Sequence, residues 1–122
     1  MVSKPILIPG PDHPITITCS DAHVIVRAAG QVIADTRRAL ELREASYPPV
    51  LYIPRADADM ALLEPTAHAS YCPYKGDASY YSVIGGRENA VWSYESPYAA
   101  VEAIRGHLAF YPDRVEAIDV SP

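Results

Sequence analysis

Short segments in which apolar and polar residues alternate limit the fold of this chain more than any other feature. A period of two is typical of half-buried β-strands, because successive side chains of a strand point to opposite faces. Twelve prolines divide the chain and leave few runs long enough for a helix. We therefore predict a mainly-β, compact single domain of about nine short strands, at 15–19, 23–28, 32–35, 38–43, 50–53, 66–71, 79–84, 91–94 and 115–120.

Two stretches have helical rather than alternating spacing. We predict one or two helical turns over 57–64, ended by Pro65, and a short helix over 97–105, stopped by Gly106. Four prolines within the first fourteen residues indicate an irregular arm over 1–14, followed by the domain proper over 15–122.

Charge and hydropathy restrict the classes of partner. The formal net charge is −5, and no block of basic residues provides the electrostatic footprint that nucleic acids require. The first residues are too short and too interrupted by proline for a signal peptide, and no apolar run approaches a membrane span. We expect a soluble, cytoplasmic protein that binds neither nucleic acid nor membranes.

The two cysteines have different settings. Cys19 shares a strand face with Ile15 and Ile17, so we expect it in the core, while Cys72 precedes a proline. A disulfide between them is the alternative, but nothing in the sequence indicates an oxidising compartment, and two reduced thiols are favoured.

Residues 71–84 concentrate the chemistry of the chain around one turn. Cys72, Tyr74 and Lys75 bring a thiol, a phenol and an ammonium within four residues. Pro73 and Gly76 predict a sharp reversal, since proline excludes the preceding residue from the helical region and glycine tolerates a positive φ. The sequence thus predicts a site at this turn without identifying its reaction or ligand.

Other charged residues give weaker signals. Period two places Arg38 on the apolar face of its strand, where it needs an acid, backbone carbonyls or a bound anion, although exposure to solvent at the start of the strand or a local ion pair is favoured. Asp57 and Asp59 form a carboxylate doublet that the start of a helix already explains. His68, Cys72 and His107 make a poor zinc set by their spacing. We predict no metal and no cofactor.

Several motifs occur in one order and carry a resemblance to a known family. They are Arg38-Ala-Leu-Glu-Leu, Tyr52-Ile-Pro-Arg-x-Asp, Leu63-Glu-Pro, Cys72-Pro-Tyr-Lys-Gly-x-Ala-x-Tyr, Trp92-Ser-Tyr and His107-Leu-Ala-Phe-Tyr. Together they resemble the bacterial and fungal family called domain of unknown function 427, over roughly residues 15–120. The resemblance implies a β-tent-like architecture similar to Mss4-like proteins, and it brings no known activity. The paired Cys-x-x-Cys zinc knuckles of many β-tent proteins are absent from the sequence.

Three functions remain open from the sequence. The favoured one is a module that binds a small anionic or amide-bearing ligand in an aromatic pocket, formed by Arg38, Tyr74, Lys75, Tyr80, Trp92, Tyr94 and Tyr111. The second is an enzyme in which Cys72 is the nucleophile or redox centre, Lys75 lowers its pKa and His107 is the base. The third is a structural domain that forms homo-oligomers or binds a protein partner.

Overall fold

Ten β-strands form three antiparallel sheets in the computed structural model, which describes residues 4–122. The strands are β1 (Ile15–Cys19), β2 (His23–Ala28), β3 (Gln31–Thr36), β4 (Leu40–Glu44), β5 (Val50–Tyr52), β6 (Leu63–Cys72), β7 (Gly76–Val83), β8 (Val91–Ser93), β9 (Ala109–Phe110) and β10 (Ala117–Ser121). Helical structure within the described residues is limited to 3-10 turns, at Arg55–Asp57, Met60–Leu62, Ala99–Ile104 and Pro112–Arg114. The predicted mainly-β class is confirmed.

The sheets have the orders β1-β4-β5, β10-β2-β3 and β6-β7-β8-β9. Strand β7 contributes to two separate hydrophobic cores, because its consecutive residues Tyr80 and Tyr81 point to opposite faces. Tyr81 packs in a core with β2 and β3 residues such as Val26. Tyr80 packs in a second core with Leu42 of β4 and Tyr52 of β5. The four-stranded sheet therefore buries aromatic residues on both faces.

The helical prediction over 57–64 is wrong in extent. One 3-10 turn, Arg55–Asp57, ends at the start of this range and a second, Met60–Leu62, lies inside it, while Leu63 already begins the longest strand, β6. Pro65 does not end a helix but lies within β6 opposite Tyr81. The second helical segment is a 3-10 segment, Ala99–Ile104. Gly106 follows it with a φ of 68°, a left-handed conformation typical of a glycine that ends a helix.

The segment after Gly106 contains a strand that the sequence did not predict. Ala109–Phe110 forms β9, which pairs with β8, and Leu108 makes an isolated bridge with Ile53. A two-residue strand has no periodicity to detect, which is why this element was missed.

The prediction that Cys19 lies in the core is wrong. Cys19 ends β1 and is exposed, whereas alternation had placed it in the core. The reason is that β1 lies at the edge of a three-stranded sheet, where the Ile15 and Ile17 side chains are only half-buried.

The N-terminal arm is irregular over its described part, residues 4–14, and residues 1–3 lie outside the described residues. Its backbone follows the turn between β6 and β7. The amide of Leu7 donates a hydrogen bond of 3.0 Å to the carbonyl of Pro73, and the Lys4 ammonium lies 2.7 Å from the Asp77 carboxylate. The arm therefore packs against the segment that the sequence marked as the site.

A polar network around Arg55 joins distant elements. Its guanidinium donates to the Tyr81 hydroxyl at 2.9 Å, to the Glu95 carboxylate at 3.1 Å and to the Gly106 carbonyl at 3.0 Å. Arginine suits this position because its planar group carries five N–H donors in a fixed geometry.

No helix in residues 4–122 is long and apolar enough to cross a membrane.

Candidate functional site: an aromatic cavity beside the β6–β7 turn

The turn between β6 and β7 has the shape that its proline and glycine predict. Cys72 and Gly76 pair directly across the hairpin, and Gly76 has φ 106°, a value that residues with a Cβ rarely adopt. The amide of Lys75 donates to the carbonyl of Cys72 at 3.2 Å, while the carbonyl of Lys75 accepts from the amide of Tyr98 at 3.1 Å. These bonds fix the Lys75 backbone from both sides, so its side chain has a defined direction.

The Lys75 side chain points inward. The residue is only 7% exposed, and its ammonium is hydrogen-bonded to Oε1 of Glu44, the last residue of β4. The other carboxylate oxygen of Glu44 lies 2.7 Å from Nε2 of His13, in the N-terminal arm. The ammonium also lies 5.9 Å from the ring centre of Tyr94, within range of a cation–π interaction. The three residues Lys75, Glu44 and His13 are called the buried ion cluster below.

The Glu44 carboxyl has a lowered pKa. Burial on its own raises the pKa of this group, because it disfavours the charged form. The hydrogen bonds from Lys75 and His13, together with the charges of both partners, outweigh burial and bring the pKa below its ordinary value. At neutral pH the carboxylate is ionised and pairs with the ammonium.

A cavity of about 280 Å³ opens beside the buried ion cluster. Both Lys75 and Glu44 line it, together with six aromatic side chains: Tyr47, Tyr52, Tyr80, Trp92, Tyr94 and Tyr111. These residues come from different strands and from the loops that follow them. Tyr80 of β7 and Trp92 of β8 are cross-strand neighbours, so their side chains lie on the same face of the sheet.

Hydrogen bonds between side chains order the aromatic wall. The hydroxyls of Tyr80 and Ser70 are 2.8 Å apart, and those of Tyr80 and Tyr111 are 3.3 Å apart. The indole N–H of Trp92 donates to the Tyr52 hydroxyl at 3.3 Å, and the Trp92 ring lies 4.4 Å from that of Tyr111. Such bonds hold the rings in fixed orientations, which prepares the surface for stacking.

Three phenols of the cavity, those of Tyr52, Tyr94 and Tyr111, have raised pKa values and remain protonated over the physiological pH range. Burial raises the pKa of Tyr52 and of Tyr94 well above the usual value. Burial, followed by the hydrogen bond and charge of Tyr80, raises the pKa of Tyr111 to about 12. The cavity therefore presents the neutral hydroxyls of these three tyrosines beside the Lys75–Glu44 ion pair.

Five of the predicted site residues line this cavity together: Lys75, Tyr80, Trp92, Tyr94 and Tyr111. Tyr74 does not line it. Its ring instead stacks on His13, with centroids 4.0 Å apart and planes within 2°. Tyr74 thus contacts the buried ion cluster through His13 and not through the cavity.

Arg38 is not part of the cavity. Strand β4 begins only at Leu40, so the alternation does not extend to Arg38, which is exposed and forms a two-pronged ion pair with Asp57. The hydrogen bonds from Arg38 and Thr36 lower the pKa of the Asp57 carboxyl. The local ion pair is the alternative that the sequence had left open.

The proposed Cys72–His107 pair is not assembled at the cavity. Cys72 is half-buried, packs against the second core and does not line the aromatic cavity. His107 follows the 3-10 segment Ala99–Ile104, and its Nδ1 contacts the carbonyl of Arg105 at 3.1 Å.

Metal ligands are not grouped in the described part of the chain. No set of three His, Cys, Asp or Glu side chains there could hold a metal ion. The two members of the carboxylate doublet have separate partners, since Asp57 binds Arg38 and Asp59 accepts a bond from the amide of Ala61. His68 packs edge-on against Tyr80, at 4.4 Å between ring centroids.

Sequence reasoning missed several residues of the site: His13, Glu44, Tyr47 and Tyr52. Glu44 was an ordinary polar residue after a strand, and its pairing with Lys75 spans 31 positions of sequence. Tyr52 gave a detectable signal, because it belongs to one of the motifs that carry the family resemblance and precedes a proline-containing turn.

The fold and the site together define a class: a mainly-β domain with an aromatic cavity that a buried lysine–glutamate pair also lines. The chain belongs to the family described as domain of unknown function (DUF427), whose model matches residues 16–121. This confirms the resemblance that the motifs indicated. A comparison with curated proteins found no match.

Proposed function

We propose that this protein binds a small organic molecule with an oxygen acceptor, a carboxylate or an amide carbonyl, in the aromatic cavity. The observation that carries the proposal is the buried Lys75 side chain in the wall of a cavity that six aromatic side chains also line. Pockets that are mostly aromatic or apolar and contain few, convergent polar groups are typical of small-ligand sites. The volume of about 280 Å³ favours a compact ligand.

The balance of donors and acceptors supports an acceptor on the ligand. An ammonium has three N–H donors, and the contact with Glu44 uses one of them. Both oxygens of Glu44 are already engaged, one by Lys75 and the other by His13. The hydroxyls of Tyr52 and Tyr94, whose pKa values burial raises, are protonated and can also donate. A planar group that accepts hydrogen bonds and stacks on Trp92 would complement this surface.

Three probes of similar size test the proposal: benzoate, benzamide and benzylamine. They share one phenyl ring and differ in the polar substituent, which is an anionic acceptor, a neutral amide or a cationic donor. Trp92 is the single tryptophan of the chain, so its fluorescence reports on the cavity wall directly. We expect benzoate and benzamide to change Trp92 emission and to raise the melting temperature, because a ligand that binds only the folded state stabilises it.

Two variants locate the binding. Lys75→Met should remove the preference for benzoate over benzylamine, while Lys4→Met, the same change at an exposed pair with Asp77, should leave it intact. Absence of any response to all three probes at millimolar concentration, with the protein folded, would refute the proposal. A stronger response to benzylamine than to benzoate would contradict the assignment of the acceptor.

The enzyme alternative has its own test. Cys19 is exposed and would react first, so the rate at Cys72 is measured in a Cys19→Ser background. We expect Cys72 to react with iodoacetamide more slowly than a free thiol, since it is half-buried against the second core. A rate well above that of a free thiol would favour the catalytic hypothesis instead.

A further inference from the structure

A second cavity adjoins the aromatic one. Its volume is about 330 Å³. Apolar side chains of the first core and of the neighbouring strands line it, including Val24, Val26, Ile53, Phe110 and Ile118. Trp92 and Val50 belong to the walls of both cavities. The two spaces are therefore neighbours, separated by the indole of Trp92 and the side chain of Val50.

The two cavities differ in chemistry. The aromatic cavity contains the Lys75–Glu44 pair and several hydroxyls. The second cavity is lined without a charged side chain, by valine, leucine, isoleucine, proline, phenylalanine and tryptophan residues alone. This cavity is partly open to solvent, so a ligand can reach its apolar wall. Burying the apolar part of a ligand against such a wall removes apolar surface from water, which is favourable.

We propose that the ligand is an amphiphile, an aliphatic carboxylic acid or its amide, whose head lies at Lys75 and whose tail passes Trp92 into the apolar cavity. This inference rests on the function proposed above and adds the class of ligand. The observation behind this inference is that a polar cavity and an apolar cavity lie next to each other and share Trp92 in their walls. Trp92 suits this position, because its ring offers an apolar surface while its N–H remains bonded to Tyr52.

A homologous series of linear carboxylates tests the inference. Butanoate, hexanoate and octanoate share the head and differ in tail length, and Trp92 fluorescence measures their Kd values. Burial of one methylene is worth about 0.8 kcal/mol, or about a fourfold gain in affinity. We expect affinity to rise by up to this factor for each methylene that enters the apolar cavity, at concentrations below micelle formation.

Filling the apolar cavity provides the control. Ile118→Phe should remove the dependence on chain length and leave benzoate binding unchanged, because Ile118 lines only the apolar cavity. The matched variant is Val120→Phe, on the same strand but 56% exposed and outside both cavities, and it should retain the full dependence. Circular dichroism of both variants checks the fold, and Leu51→Phe repeats the test from β5 if Ile118→Phe does not fold.

The outcomes separate the two proposals. Equal affinities along the series, with benzoate still bound, would overturn the amphiphile and leave the aromatic cavity as a ligand site. A dependence on chain length that persists in folded Ile118→Phe and Leu51→Phe would also overturn it, since the tails would then bind elsewhere. Absence of binding by every probe, benzoate included, would overturn the proposed function itself.

Discussion

Replacing Lys75 with methionine tests whether the buried ion cluster stabilises the fold. Methionine keeps the length and apolar volume of the side chain but removes the ammonium. Glu44, whose side chain is only 14% exposed, then retains His13 as its remaining partner. Breaking a buried pair by removing one partner leaves an uncompensated charge, and we expect a loss of about 3 kcal/mol in the free energy of unfolding.

A double-mutant cycle separates the pair from other effects of the substitution. Lys75→Met, Glu44→Gln and the double variant are unfolded in urea and compared with the wild type. The double variant should lose less than the sum of the single losses, with a coupling free energy of about 1.5–3 kcal/mol, because neither buried charge then lacks a partner. The assay is the urea midpoint at a fixed slope, since a changed slope indicates a changed unfolded state.

Lys4→Met is the matched control for this cycle. Lys4 pairs with Asp77 at the surface, where both side chains are more than half exposed, and its removal should leave the urea midpoint within error. If Lys75→Met is no more destabilising than Lys4→Met, the assignment of the Lys75–Glu44 pair as a buried, stabilising contact is wrong. Purely additive effects in the cycle would refute the coupling as well.

Three further predictions follow from individual groups. The pKa of Glu44 in the folded protein lies below its ordinary value of 4.5, so the stability that its ionised form contributes is fully present above that pH and is lost as the pH falls through the folded pKa. The difference in unfolding free energy between wild type and Glu44→Gln, measured in urea, should therefore shrink from pH 7 to pH 3. A constant difference would contradict the assignment. Arg55→Met breaks the Arg55 network and should lower the free energy of unfolding by about 2 kcal/mol, with a lower melting temperature. The control, Arg38→Met, removes an exposed ion pair and should leave the melting temperature unchanged. Equal effects of the two substitutions would be evidence against the network. Gly76→Ala should destabilise the protein by about 1–2 kcal/mol because φ is 106°, while Gly10→Ala, which has open space and an ordinary φ, should be close to neutral in thermal unfolding.

The sequence by itself determined the class of fold and the local geometry of the site. Period-two alternation depends only on neighbouring residues, so it identified the strands at 15–19 and 23–28 with the correct bounds. The turn at 73–75 was equally predictable, because proline excludes the preceding residue from the helical region and glycine permits a positive φ, whatever the surrounding structure. Four aromatic residues of the cavity, Tyr80, Trp92, Tyr94 and Tyr111, could be selected from the sequence together with Lys75.

Tertiary structure decided which of these groups meet. Alternation assigns a residue to a face of its strand but does not say what covers that face, which is why Cys19 was placed in the core and is exposed. Arg38 found its partner locally in Asp57, while Lys75 pairs with Glu44 from a different sheet. Residues of five strands, β2, β5, β8, β9 and β10, line the second cavity, and only the packing of the sheets brings them together. Contacts of this kind join residues far apart in the chain, and short-range patterns carry no information about them.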